Sequence, residues 1–301
     1  MRELRSLLVV LELHHAEHFS HPDEVHAHHA KSLALRRAKL IAKATKAHLH
    51  LLMCDQKHDH SALLSLLKSQ LHDEGFSATA EQAWDRSLHD TIIGVQQAEG
   101  CSLVIKEHHP DNPLLATVLA PSDWKLLRLC PSSVLMVKHD RYWTGGVILA
   151  AVDVGNADEK HRHLHRDIID HANFIASFTQ GTLHVVAAHP APMLSAANPV
   201  FQDKTSIEAH YREQCETFQA EFDIADDHLY IVEGPADALI PFTARQLDAA
   251  VTVIGTVARS GFSGVLIGNT AEAVLDDLES DVLVIKTEEI VQHLKGLARG
   301  E

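Results

Sequence analysis

Gly146-Val147-Ile148-Leu149-Ala150-Ala151-Val152-Asp153 is a continuous apolar run that stops at a carboxylate. No polar residue interrupts it to mark a wet face. It therefore reads as a strand covered on both sides, as in a parallel sheet sandwiched by helices. The chain begins on the same theme with Ser6-Leu7-Leu8-Val9-Val10-Leu11-Glu12. Outward from these two runs the correspondences continue in order. Leu49 to Met53 answers Leu183 to Ala187, Cys101 to Lys106 answers Ala250 to Gly255, and Ser132 to Lys138 answers Ser280 to Lys286. Between the runs lie segments of helical period, among them Ala62 to Leu71, Asp85 to Gln97, Ile207 to Phe222 and Ala271 to Leu278. Strand–helix alternation with short turns implies right-handed βαβ units. The expected fold class is α/β, two tandem doubly wound parallel-sheet domains of Rossmann-like type. They are expected to span residues 1–141 and 142–301, meeting near Asp140 to Gly146.

Length and composition agree with this division. A chain of 301 residues suits two domains at a prior of about 150 residues each. With 46% hydrophobic and 22% charged residues it can bury a substantial core. Lys and Arg number 26 against 41 Asp and Glu, a net charge of −15 that repels phosphate backbones and anionic lipid, so neither nucleic acid nor membrane is an expected partner. Cys54, Cys101, Cys130 and Cys215 show no C-x-x-C spacing and read as reduced thilos of a cytoplasmic protein, mostly buried. Leu7 to Leu11 is too short for a signal core, and no apolar run reaches the roughly 18 residues of a spanning helix.

Ligands of open α/β sheets bind beyond the carboxyl ends of strands, where the strand order reverses. After the fourth strand of the second half comes Gly255-Thr256-Val257-Ala258-Arg259-Ser260-Gly261-Phe262-Ser263-Gly264-Val265-Leu266-Ile267-Gly268-Asn269-Thr270-Ala271-Glu272. This resembles the nucleotide loop of universal stress proteins, G-x2-G-x9-G-(S/T). Gly255 and Gly268 fit its spacing, Ala258 takes the middle glycine's place and Asn269 that of the hydroxyl residue. The stretches Gly268 to Glu272 and Ser122 to Ser132 resemble in particular the tandem, E-type group of that family. The resemblance implies a stress-responsive binding or signalling module, not an enzyme, with an adenine nucleotide (ATP, ADP or AMP, and Mg if ATP) in the second half. It also implies an intrachain pseudo-dimer, with the fifth strands near Val134 to Val137 and Val282 to Ile285; a homodimer and an unidentified protein partner stay open.

Physical reasoning supplies roles beside it. Glycines admit a phosphate close to the backbone, and the helix from Ala271 aims N–H groups and its dipole at an anion, with Gly268, Asn269 and Thr270 at its entry. Asp153 stands ready to accept hydrogen bonds from a ribose or an adenine edge. Ala188 offers backbone groups to a base, and Gly234 with Pro235 shapes the opposite wall. Two other readings remain: slow ATP hydrolysis with Asp153 and Asn269 near the phosphates or ribose, and a scaffold in which the loop merely folds.

The first half departs from the pattern. Lys106 aligns with the first glycine, and Ala120-Pro121-Ser122 falls where Gly268-Asn269-Thr270 lies, so that half is not expected to hold nucleotide in the family manner. Among 25 histidines, His161 and His165 share a helix face, and His108 and His109 neighbour Asp111. With no spaced cysteines beside them these are weak metal candidates, and no dedicated metal site is expected. His58 and His60, flanking Asp59, read as solvated turn residues, and most histidines are expected to be exposed. Acid should then cause self-association before unfolding. No catalytic residue is expected: Ser263 lacks the G-x-S-x-G setting, Cys215 reads as a structural thiol and Trp124 as a packing residue.

Overall fold

A strand with no wet face needs a strand on either side and helices above and below, and the apolar runs meet that need by pairing in parallel. The structure is a computed structural model and describes residues 4–12, 32–108, 121–155, 159–256 and 274–299. In the first unit the strands are β1 (Ser6–Leu11), β2 (His48–Cys54), β3 (Ala78–Ala83), β4 (Leu103–Glu107) and β5 (Ser133–Val137), in the order β3-β2-β1-β4-β5. Its helices are α1 (Leu33–Thr45), α2 (Ser61–Asp73), α3 (Leu88–Ala98) and α4 (Pro121–Leu129). The second unit repeats the plan with β6 (Val147–Val152), β7 (Thr182–His189), β8 (Leu229–Glu233), β9 (Val251–Thr256) and β10 (Asp281–Lys286), in the order β10-β9-β6-β7-β8. Its helices are α5 (Glu159–Thr179), α6 (Lys204–Phe222) and α7 (Ala236–Gln246), and α8 (Glu288–Arg299) closes the chain.

Residues 141–290 form one unit and residues 2–140 with 291–301 the other.

Burial explains the elements. Ile148, Leu149 and Ala150 of β6 are fully buried, as are Leu7, Leu8 and Val9 of β1. Helix α5 covers β6 with Leu164, Ile168, Ala172 and Ala176, one residue per turn on one face. Helix α6 presents Ile207, Tyr211 and Cys215 at the same spacing. Side chains start the helices: Ser32 Oγ accepts the Leu35 N–H at 3.4 Å, and Asp203 Oδ1 accepts that of Ser206 at 2.9 Å. All four cysteines are free thiols. No helix among the described residues is long and apolar enough to cross a membrane.

The registers allow the halves to be superposed residue by residue. Leu7 pairs with Leu49 and Leu103 in the first, Ile148 with Leu183 and Val251 in the second. Val104 pairs with Val134, and Thr252 with Val282, which gives the same equivalence. Glu12 then matches Asp153, Asp55 matches His189, and Glu107 matches Gly255. The sequence alignment had Lys106 opposite Gly255; strand pairing moves it by one residue, to Ile254.

Candidate functional site

In the second unit the strand order reverses between β6 and β9, and beyond their carboxyl ends lies a cavity of about 750 Å³. That volume lies within the range of small-molecule sites. Asp153, directly after β6, lines it and is exposed; Ala188 and His189 line it from the end of β7. Gly234 follows β8 with φ of 140°, a conformation that favours glycine, and a Cβ there would stand 3.1 Å from Leu239 Cδ1. Tyr211 reaches the cavity from α6 and is 4% exposed. Burial raises its phenol pKa, and the negative charge of Asp153 adds to the effect.

Two glycines are dictated by packing. A Cβ on Gly255 would lie 2.7 Å from Leu164 Cδ2 and 2.8 Å from Ile168 Cδ1, so this glycine lets α5 settle on β9. A Cβ on Gly155 would overlap the Tyr211 hydroxyl and come within 2.8 Å of Tyr211 Cζ. Gly155 thereby lets the phenol sit beside Asp153, whose Oδ1 is 3.4 Å from the same point.

His189 carries the most informative polar atom of the cavity. Its Nδ1 lies 3.0 Å from the Pro190 carbonyl, which can only accept, so the proton is on Nδ1. The opposite nitrogen, Nε2, is then an acceptor. It is buried without a hydrogen-bond partner among the described residues, and the residue is 1% exposed. An unsatisfied buried acceptor costs about 1–3 kcal/mol, which a ligand bearing an N–H or O–H at that point would relieve.

Asp153, Ala188, Gly234 and Gly255 therefore line one cavity. Ala258, Gly268, Asn269 and Thr270 lie outside the described residues, as does His109. His161 and His165 also line the cavity, their ring centroids 6.1 Å apart, with no third ligand atom converging on them among the described residues. Sequence reasoning missed His189, Tyr211 and Gly155. His189 is the last residue of β7, one position beyond Ala188, where the sequence reading ended the strand. Tyr211 has the helical spacing of a core residue, so its spacing held no warning.

The expectation of solvated histidines fails at His50, His108, His165, His184 and His189, all buried. Neighbouring groups engage the two on β2 and at the middle of β7: Thr79 and Glu81 meet His50, and Tyr230 and the stacked ring of His228 meet His184. The tract from His14 to His29 lies outside the described residues.

At the equivalent strand ends of the first unit, among the described residues, the protein's own charges meet. Lys106 Nζ lies 2.8 Å from Glu12 Oε1 and 2.9 Å from Asp123 Oδ1, and His108 Nδ1 is 3.0 Å from Asp123 Oδ2. Burial by itself would lower the lysine pKa; Glu12 and Asp123 outweigh it and raise the pKa. Glu107, in the position of Gly255, accepts the first N–H of α1, from Leu33, at 3.0 Å. An internal carboxylate thus occupies a helix N-terminus of the kind that binds anions elsewhere.

Comparison with known proteins agrees with this architecture. The family model described as Universal stress protein family matches residues 147–286. Universal stress protein E of Escherichia coli (strain K12) is 32% identical over 212 residues, 68% of this chain and 67% of its own. The universal stress protein E homolog of Haemophilus influenzae is 27% identical over 260 residues, 84% of this chain and 83% of its own. Among solved structures, a protein of Pseudomonas aeruginosa UCBPP-PA14 described as a universal stress protein is 56% identical, with a TM-score of 0.86 over 98% of each chain. A universal stress protein from Archaeoglobus fulgidus is similar in fold, at 17% identity and a TM-score of 0.63 over 95% of this chain and 97% of its own.

Proposed function

The chain belongs to the universal stress protein family, and from that premise we propose that it is a cytoplasmic stress-response binding module whose second unit holds an adenine nucleotide. The observation that carries this reading is the cavity at the strand-order reversal, with the buried acceptor His189 Nε2 in its wall. The adenine amino group or a ribose hydroxyl supplies the donor that this nitrogen lacks. Asp153 accepts from the ribose, the backbone at Ala188 faces the base, and Gly234 forms the far wall. Gly255 brings β9 to the phosphate end, where Ala258, Gly268, Asn269 and Thr270 complete the loop, with Mg accompanying ATP.

The test is thermal melting of the whole protein with ATP, ADP and AMP in turn. A nucleotide at 100 times its dissociation constant stabilises the native state by about 2.7 kcal/mol, a shift readily seen. Gly268→Val should abolish the shift and Ala120→Val should leave it intact. No shift with any of the three nucleotides would favour the scaffold reading, and steady phosphate release lost in Asp153→Asn would favour the ATPase.

A further inference from the structure

In the first unit the turn Asp55-Gln56-Lys57-His58-Asp59-His60 joins β2 to α2. Asp55 Oδ2 lies 3.0 Å from His58 Nδ1 and 2.7 Å from His60 Nε2, so two imidazole nitrogens converge on one carboxylate oxygen. The other oxygen, Oδ1, accepts the Lys57 N–H at 2.7 Å. All three potential ligand atoms lie within 4.8 Å of one another.

The turn does not depend on the two imidazoles for its backbone closure. Gln82, on β3, donates to the carbonyls of Asp55 and His58 at 3.0 and 2.6 Å, and its own carbonyl accepts the His60 N–H at 2.8 Å. The same amide group thus anchors the backbone of all three residues, the kind of outer support that holds metal ligands in place.

We infer that Asp55, His58 and His60 form a binding site for a divalent transition-metal ion of zinc type. Two imidazole nitrogens and one carboxylate oxygen suit zinc and its neighbours, whereas magnesium and calcium take sets made of oxygen. Tetrahedral bonds of about 2.0 Å put neighbouring ligands about 3.3 Å apart, so the two ring-to-carboxylate spacings of 3.0 and 2.7 Å open by well under an ångström to admit the ion. The ion takes the place of the protons now shared between the rings and the carboxylate. His58 is 67% exposed, which gives the ion a path in and leaves a fourth position to water or an external ligand. The N-terminus of α2 opposes a cation, and Asp59, whose carboxylate accepts the Ser61 N–H at 2.9 Å, offsets it.

A second converging set, His50 with Glu81 and Glu99, is less suited. Glu81 faces one ring nitrogen of His50 at 2.8 Å and Glu99 the other at 3.8 Å, and one ion cannot use opposite edges of a single ring. The Asp55 site is also independent of the nucleotide reading, since it belongs to the other unit.

The test uses the whole chain, freed of metal with a chelator and titrated with cobalt(II) and then zinc(II). The expected result is one tight equivalent with the visible bands of tetrahedral cobalt, displaced by zinc. His58→Ala, at an exposed position that the fold tolerates, and Asp55→Asn should each weaken binding by about tenfold or more. The paired change His161→Ala with His165→Ala should leave it unchanged. Equal affinity and spectrum in wild type and His58→Ala would overturn the site, as would cobalt uptake that is only weak and octahedral.

Discussion

The hydroxyl of Tyr211 occupies the space that a side chain at position 155 would need. Overpacking of this kind costs about 1–3 kcal/mol, so Gly155→Ala should lower stability by that order, measured by urea denaturation. Tyr211→Phe in the same chain removes the nearest atom of the clash, and the pair should show a favourable coupling of at least about 0.5 kcal/mol in a double-mutant cycle. Additive losses would mean that the phenol is held from elsewhere. Residue-scale legibility was uneven for the same physical reason. Asp153, Ala188, Gly234 and Gly255 were found because strand ends are marked by where an apolar run stops. Gly255 was read as making room for a phosphate, but the side chains that exclude a Cβ there belong to α5, far away in sequence.

Among the elements, the buried central strands were the easiest to read and the edges the hardest. Strand β3, Ala78-Thr79-Ala80-Glu81-Gln82-Ala83, is mostly half-buried and carries polar residues, so it shows no continuous apolar run. Helix α5 was obscured by the charged and histidine residues on its outer face, although Leu164, Ile168 and Ala172 form a regular buried stripe. The one-residue shift between Lys106 and Glu107 needed hydrogen-bonded register, which composition does not encode. The start of β10 depends on a segment read as a linker: Trp143 Nε1 donates to Asp281 Oδ2 at 2.8 Å, and both residues are buried. Trp143→Phe removes a hydrogen bond to a buried carboxylate and should cost about 1.5–3 kcal/mol, read by circular dichroism in urea. Asp281→Asn keeps an acceptor and should cost less; the reverse order would assign the stability to indole packing alone.

For the molecule as a whole, the net charge of −15 and a sequence pI of 5.9 mean that mild acid removes the repulsion between copies. The expectation that self-association precedes unfolding assumed solvated histidines, and the buried ones remove that assumption. His184 is held down to a pKa of about 4, first by burial and then by the nearby charge of His228, with Asp227 opposing. In the unfolded chain it titrates near about 6.5, so between those values the unfolded state binds the extra proton. Its contribution is therefore complete above about pH 6.5 and falls as the pH drops towards 4. His184→Phe keeps the stack on His228 and loses the titration, so the urea midpoint should vary less between pH 7 and 4.5 than in wild type. An unchanged slope would assign the acid sensitivity to other groups.

The ion pairs at the strand ends of the first unit bear on how the chain would respond to its surroundings. A duplicated fold with two open pockets can respond cooperatively, one occupancy altering the next. Here one copy carries its counter-charges covalently, as Lys106 with Glu12 and Asp123, and they do not dilute away. On the proposed reading, that copy needs no diffusible anion to balance Lys106. On the same reading, nucleotide enters through the second unit alone. The chain's response to nucleotide is a plain hyperbola of unit stoichiometry, graded over roughly a hundredfold range of concentration and not switched at a threshold.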